Sequence, residues 1–211
     1  MPERESGGCY DAAMSKGRME AFSDGVIAIL ITIMVLELRM PETEGEATLA
    51  ALAPVVPKLL TYTLSFIYLG IYWNNHHHML QAADRVSGGV LWANLHLLFW
   101  LSLVPAATGW MGEHHSDSVP AAVYGVVMLM SAIAYTTLQG RIIACQGPHS
   151  RLRNAVQGDA KGKISLALYA LSIPFAFAHH ALSDAIFVGV ALIWLVPDRR
   201  IEGVLGNHEP V

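Results

Sequence analysis

The sequence predicts an all-α, polytopic membrane protein with six transmembrane helices per subunit, and three observations carry that reading. Of its 211 residues, 54% are hydrophobic and only 14% charged, against roughly a quarter charged in a soluble domain. A soluble chain of this length needs a polar coat that these residues do not supply. The apolar residues also gather into six runs near the ~20 residues that cross a hydrocarbon core about 30 Å thick. Finally, Lys and Arg divide unevenly between the two sets of loops that six crossings create.

The first run, Arg18 to Leu38, carries Arg18, Glu20 and Asp24 in its first two turns. An acidic turn, Glu42 to Ala47, leads to the second, Val56 to His76. Met79 to Ser87, with Asp84 and Arg85, precedes the third, Gly88 to Met111. Gly112 to Ser118, with Glu113 and two histidines, precedes the fourth, Val119 to Ala144. The longest linker, Gly147 to Lys163, leads to the fifth run, Ile164 to Ala181. The sixth, Ala185 to Pro197, follows within a few residues around Ser183 and Asp184, which predicts a tight antiparallel hairpin. The first, fifth and sixth runs are short or polar for a span. Pro105 and Pro174 each predict a bend that neighbouring helices tolerate.

With the N-terminus inside, Arg4, Lys16, Arg18, Arg85, Arg141, Arg151, Arg153, Lys161, Lys163, Arg199 and Arg200 share one side, and only Arg39 and Lys58 fall opposite. Cations are retained on the cytoplasmic side, so both termini are expected in the cytosol. Residues 1–16 read as a polar, disordered cytosolic segment without a secretory signal, 17–200 as the transmembrane domain and 201–211 as a cytosolic tail. The net charge of −4 is spread along the chain, which predicts no nucleic-acid partner. Cys9 and Cys145 fall outside the apolar runs and are expected to be reduced thiols.

Ionisable residues inside a span cost at least ~2.5 kcal/mol on insertion scales and usually face protein or water. The first run holds Arg18, Glu20 and Asp24. The plainer reading of those charges is a first turn at the headgroups, with Glu20 and Asp24 complementing the helix dipole. At i+3 and i+4 spacing, Arg18, Phe22, Gly25, Ile29, Thr32 and Leu36 form one stripe. If several copies surround an axis, Ile29 and Leu36 make apolar rings with a hydroxyl ring between them. Such constrictions gate by dewetting, and hydroxyls replace part of an ion's hydration shell. Spacing alone fits an ordinary apolar helix as well, with Thr32 bonded back to the carbonyl of Ala28.

The run Arg18-x-x-x-Phe22-Ser23-Asp24-Gly25 resembles the R-x-x-x-F-S-D signature of the transmembrane protein 175 family of potassium channels. Trp73-Asn74-Asn75-His76-His77-His78 resembles its W-x-x-H-H element. Asn94, Leu103-Val104-Pro105, Gly112-Glu113-His114 and Trp194-Leu195-Val196-Pro197-Asp198-Arg199-Arg200 follow in the family's order. The resemblance implies a homotetramer in which helix 1 lines a central pore favouring potassium over sodium without a carbonyl filter. It places Ile29 on the family's bulky constriction and Thr32 on its selectivity hydroxyl, while the stripe adds Leu36 as a supporting constriction and Gly25 beside the pore. Val123-Tyr124-Gly125 is not a T-V-G-Y-G filter and is read as packing.

Three consecutive histidines, His76 to His78, point about 100° apart on a helix and do not converge on one metal. Trp73 and His77 lie one turn apart near the cytosolic end, at the depth of Arg18 and Asp24. A hydrogen-bonded cluster of Ser23, Asp24, Trp73, His76 or His77 and Asn94, beside Arg18 and Phe22, is expected to fix the pore helix rather than to coordinate ions. His77 makes a pH response conceivable. The expectation is a non-enzymatic cation channel in the cell membrane. Its partners are potassium, with sodium or protons as alternatives, membrane lipid and copies of itself, and it has no cofactor and no metal beyond transient potassium. The alternatives are a proton-permeable channel or a proton-coupled transporter using Asp24 and the helix 2 histidines, and a metal enzyme built on histidine pairs.

Overall fold

The computed structural model describes residues 15–39, 48–83, 85–147, 150, 152–153 and 160–195. Expectations for Glu42, Glu44, Glu46, Arg4, Arg151 and residues 196–211 lie outside them. The described residues form α1 (Lys16–Met34), α2 (Val56–Gln81), α3 (Gly88–Ser102), α4 (Val104–Glu113), α5 (Ser118–Gln146), α6 (Ala160–Ala178) and α7 (His180–Leu195). Tighter 3₁₀ turns cover Val35–Glu37 and Leu49–Val55, and no strand occurs among the described residues. Four stretches are long and apolar enough to cross a membrane: Lys16–Glu37, Leu52–Gln81, Gly88–Glu113 and Ser118–Gln146. His180–Leu195 is apolar but shorter.

Two boundaries differ from the sequence reading. The third run is not continuous but breaks at Leu103 into α3 and α4. Pro105 has no N–H to offer the carbonyl of Leu101; one turn away the Ser102 hydroxyl donates to the Phe99 carbonyl at 2.7 Å. The last hairpin turns at His179 rather than at Ser183 and Asp184, which sit in the first turns of α7. Ser183 is fully buried. A small polar residue read as a loop signal thus serves as a close-packing position.

Side-chain bonds fix which helix ends share a level. Lys16 Nζ donates to the Gln81 carbonyl at 3.2 Å, and Gln146 Nε2 donates to the Ala82 carbonyl at 3.0 Å. The start of α1 and the ends of α2 and α5 therefore meet. At the other end, Lys58 Nζ donates to Glu113 Oε1 at 3.0 Å, joining the start of α2 to the end of α4. Trp194 Nε1 donates to Ser165 Oγ at 2.8 Å, which closes α7 antiparallel to α6.

The core is built from one face of each helix, including Met19, Ile27 and Met34 of α1, Tyr68 and Leu69 of α2, Leu97 and Leu101 of α3, Tyr124 and Met128 of α5 and Phe187 of α7. Several polar side chains inside it are paired across helices, whereas Ser183 Oγ and Asp184 Oδ1 have no hydrogen-bond partner among the described residues. Ser65 shares a hydrogen bond of 3.0 Å with the Tyr124 hydroxyl and accepts from Thr108 at 2.7 Å, joining α2, α4 and α5. Tyr124 also meets Phe187 edge-on, ring centroids 4.9 Å apart, so the Val123-Tyr124-Gly125 run is packing. Cys145 is disulfide-bonded, which corrects its reading as a reduced thiol.

Gly125 lies where α5 meets α6 and α7. A Cβ there would stand 2.8 Å from Ser172 Oγ and 3.4 Å from Phe187 Cζ. Gly125→Val is expected to destabilise the fold by about 1–3 kcal/mol through overpacking, read as a lowered unfolding midpoint in detergent, whereas Gly25→Ala, which lies inside α1 and meets nothing within 4 Å, is expected to raise that midpoint slightly, by up to about 1 kcal/mol of helix propensity.

Candidate functional site

Helix α1 has two faces of opposite character. Met19, Ser23, Ile27, Leu30 and Met34 are buried, because α1 packs on α2, α3 and α4. Arg18, Phe22, Gly25, Ile29, Thr32 and Leu36 are all exposed. Ile29 is 56% exposed and Leu36 71%, so the subunit itself leaves these bulky side chains uncovered. The stripe that i+3 and i+4 spacing defined is thus the face of α1 without a neighbour in the described chain.

The Thr32 hydroxyl donates to the Ile29 carbonyl at 2.9 Å, not to that of Ala28. With its proton committed to the helix, the oxygen presents only lone pairs outward. That is the polarity a cation requires.

The buried face of α1 is anchored by a directed chain of hydrogen bonds. His76 Nε2 donates to Asn94 Oδ1 at 2.8 Å, because an amide oxygen only accepts. Asn94 Nδ2 donates to Ser23 Oγ at 2.9 Å, and Ser23 donates to the Met19 carbonyl at 2.8 Å. All three side chains are at most 2% exposed. The chain crosses from α2 through α3 to α1, and each bond polarises the next in the same direction. His76 Nδ1 has no hydrogen-bond partner among the described residues.

Beside this chain run two more exposed rungs between α1 and α2. Trp73 Nε1 donates to Asp24 Oδ1 at 3.0 Å. His77 Nδ1 meets Glu20 Oε1 at 3.1 Å, and its Nε2 meets the Gln81 amide nitrogen at 2.8 Å. The Gln81 amide donates to Nε2, so the neutral His77 ring carries its proton on Nδ1 and gives it to Glu20. Trp73 and His77 are stacked, 6.1 Å apart and 20° from parallel.

The structure therefore brings Ser23, His76 and Asn94 together in one chain and Asp24 with Trp73 in a separate contact. Arg18 and Phe22 stand on the uncovered stripe, and Arg18 makes no ion pair among the described residues. The Glu20–His77 rung was absent from the expected cluster. Glu20 lies one turn before Asp24 and His77 one turn after Trp73, so on antiparallel helices the second rung follows from the first. The Ser65, Thr108 and Tyr124 hydroxyls gave no such signal, since they are scattered over three helices. No group of three or more metal-ligating side chains is placed to hold an ion among the described residues.

At the opposite end of α1, Glu37 lies against Gly109, where a Cβ would meet Glu37 Oε2 at 2.7 Å. Glu37, Lys58, Tyr62, Thr108 and Gly109 line a small cavity beside the Lys58–Glu113 pair.

Antiparallel apolar helices of spanning length, with their charge confined to the bundle ends and to one face of α1, define a polytopic helical membrane protein. A family model described as endosomal/lysosomal potassium channel TMEM175 matches residues 18–105. A potassium channel of Chryseobacterium sp. (strain P1-3) is 53% identical over 195 residues, covering 92% of this chain and 100% of the relative. The endosomal/lysosomal proton channel TMEM175 of Gallus gallus is 30% identical over 131 residues, 56% of this chain but 26% of that protein. The solved structure of a homologue, from Chamaesiphon minutus, of the lysosomal potassium-selective channel TMEM175 superposes with a TM-score of 0.76 at 26% identity, covering 86% of this chain and 96% of that one. The chain belongs to the TMEM175 family.

Proposed function

We propose that this chain is one subunit of a homotetrameric cation channel that favours potassium, with α1 of each copy lining a central pore. The observation that carries it is the uncovered stripe of α1. A bulky apolar ring at Ile29, a hydroxyl layer at Thr32 and a second apolar ring at Leu36 would follow one another along the axis, with Gly25 and Phe22 on the inner side. A dry constriction raises the barrier to a hydrated ion. The Thr32 lone pairs replace part of the ion's water just beyond it. Conduction is passive and uses no cofactor or catalytic group. The Ser23–Asn94–His76 chain and the Asp24–Trp73 rung act on the wall of the pore, holding α1 against α2 and α3. The fourfold count comes from the family.

Seven of the nine described Lys and Arg residues, Lys16, Arg18, Arg85, Arg141, Arg153, Lys161 and Lys163, belong to the end where α1 begins, against Arg39 and Lys58 at the other. That bias supports a multi-pass protein of the cell membrane with both termini in the cytosol.

Proteoliposome flux compared for potassium, sodium and protons tests the reading. Potassium is expected to pass fastest, and Thr32→Val, which keeps the shape and removes the hydroxyl, is expected to reduce the potassium-to-sodium ratio several-fold, as for a loss of about 1 kcal/mol of differential stabilisation. An unchanged ratio in that variant removes Thr32 from the selectivity layer. A second reading is proton permeation. It draws support from Glu20, His77 and Asp24, three titratable side chains beside the inner end of the stripe. A pH-gradient assay without potassium separates the two, because only a proton pathway dissipates the gradient there.

A further inference from the structure

Two polar side chains stand on outward faces of the bundle, at one depth, with hydrogen-bonding groups unpaired among the described residues. The first is His96 of α3. Trp100 Nε1 donates to His96 Nε2 at 3.0 Å, and an indole N–H only donates, so the neutral imidazole carries its proton on Nδ1. That N–H meets no acceptor among the described residues. Around it the exposed face of α3 is apolar, with Trp92, Leu95 and Phe99. The second is Asn74 of α2, exposed, whose side-chain amide likewise has no partner among the described residues.

The buried His76–Asn94 bond fixes the relative depth of the two. Asn74 precedes His76 by two residues on a helix that runs inward, and His96 follows Asn94 by two on one that runs outward. Both therefore stand roughly 3 Å further out than that bond. Both also fall within roughly 11 Å of the midpoints of their spans, Leu52–Gln81 and Gly88–Glu113, inside the ~15 Å half-thickness of the hydrocarbon. Lipid tails offer no acceptor to an imidazole N–H and no partner to an amide, so each group is costly there unless protein covers it.

The two faces look in different directions. Two residues turn a helix by about 200°, so Asn74 and His96 point away from the contact that His76 and Asn94 make. Between them lies α1, bonded to α2 through Asp24 and to α3 through Ser23. Its uncovered stripe is thus flanked by the Asn74 face on one side and the His96 face on the other. At about 100° per residue, the exposed Ala21 and Ala28 fall on the flank of α1 toward α2, and the exposed Phe22 and Ile33 on the flank toward α3. One flank is small and carries an acceptor; the other is bulky and carries a donor. Rotation about an axis along the bilayer normal keeps every residue at its depth, so it brings these two flanks of successive copies together with their polar groups level.

We propose that neighbouring subunits join head to tail, the α2 face at Asn74 of one copy against the α3 face at His96 of the next, with His96 Nδ1–H donating to the amide oxygen of Asn74. Such a contact between unlike faces closes into a ring, and hydrogen bonds between polar side chains are a recurrent device of membrane helix association. The inference rests on the reading that copies surround α1 and adds which surfaces meet.

Oxidation of membranes with copper phenanthroline, read on non-reducing gels, tests it. The double variant Asn74→Cys with His96→Cys is expected to give a ladder of dimers and higher multimers, because each copy then offers a thiol to both neighbours. Each single variant is expected to stay at the background of the wild type, in which Cys145 is already disulfide-bonded. Coexpression of the two single variants is expected to stop at dimers. Gly70→Cys with Phe99→Cys, one turn further out on each helix and with open space at Gly70, repeats the result should the first pair fail to fold. On native mass spectrometry, Asn74→Leu is expected to weaken association about threefold per contact, as for one interhelical hydrogen bond, and His96→Phe added to it to weaken it no further. Unchanged association in Asn74→Leu removes the bond. A crosslink in His96→Cys alone overturns the head-to-tail pairing. An intact oligomer with no ladder in either double variant overturns this interface and leaves the pore reading standing, whereas a monomeric wild type overturns both.

Discussion

Replacing Ile29 with alanine is expected to raise cation leak through the reconstituted protein at least tenfold. The argument rests on where the side chain stands. Ile29 is 56% exposed on a helix whose other face is packed, so its truncation leaves no cavity within the subunit and costs little folding stability. If four copies converge, the same truncation widens and wets the narrowest apolar ring. Lowering the barrier by about 1.4 kcal/mol is enough for a tenfold rise in rate. Flux and unfolding midpoint therefore separate, with the first rising and the second unchanged. Wild-type flux in this variant would remove Ile29 from the gate. Leu36→Ala is expected to act in the same direction and less strongly.

The second large effect belongs to the buried anchor. Asn94→Leu is expected to destabilise the protein by about 2 kcal/mol, because His76 Nε2 then buries a donor with no acceptor. Ser23 keeps its bond to the Met19 carbonyl, so the loss centres on the histidine. The double variant His76→Phe with Asn94→Leu is expected to recover part of the loss, since replacing both partners by apolar groups removes the orphan. Unfolding in detergent across the four proteins of this cycle measures the coupling. An Asn94→Leu midpoint equal to wild type would show that the chain does not hold α1. In the proposed channel the anchor also sets the angle of α1 to the pore axis, so a folded Asn94→Leu protein is expected to conduct differently.

Much of the site was legible because the relevant spacing is local. The stripe from Arg18 to Leu36 follows from 3.6 residues per turn and from nothing else in the chain. The W-x-x-H-H and F-S-D elements likewise named the residues at the start of α1 and the end of α2, and short loops made those ends neighbours. What was not legible is which imidazole reaches the buried amide. Consecutive residues His76 and His77 point about 100° apart, and the rotation of α2 about its own axis decides that His76 meets Asn94 and His77 meets Glu20. The break at Leu103 was foreshadowed by Pro105 only as a bend. The turn at His179 had no signal, because Ser183 and Asp184 read equally as loop or as helix.

By itself the sequence determined the solvent, the level of the charges and the one face of α1 that differs from its surroundings, since each depends on composition or on spacing within a single helix. Only the tertiary structure decided that this face is left uncovered while its opposite is anchored through Asn94, 71 residues away in sequence. The reason is physical: a helix can present a polar stripe to lipid, to a neighbour or to an axis with the same residues, and only the packing of α2, α3 and α4 on the other side selects which face remains.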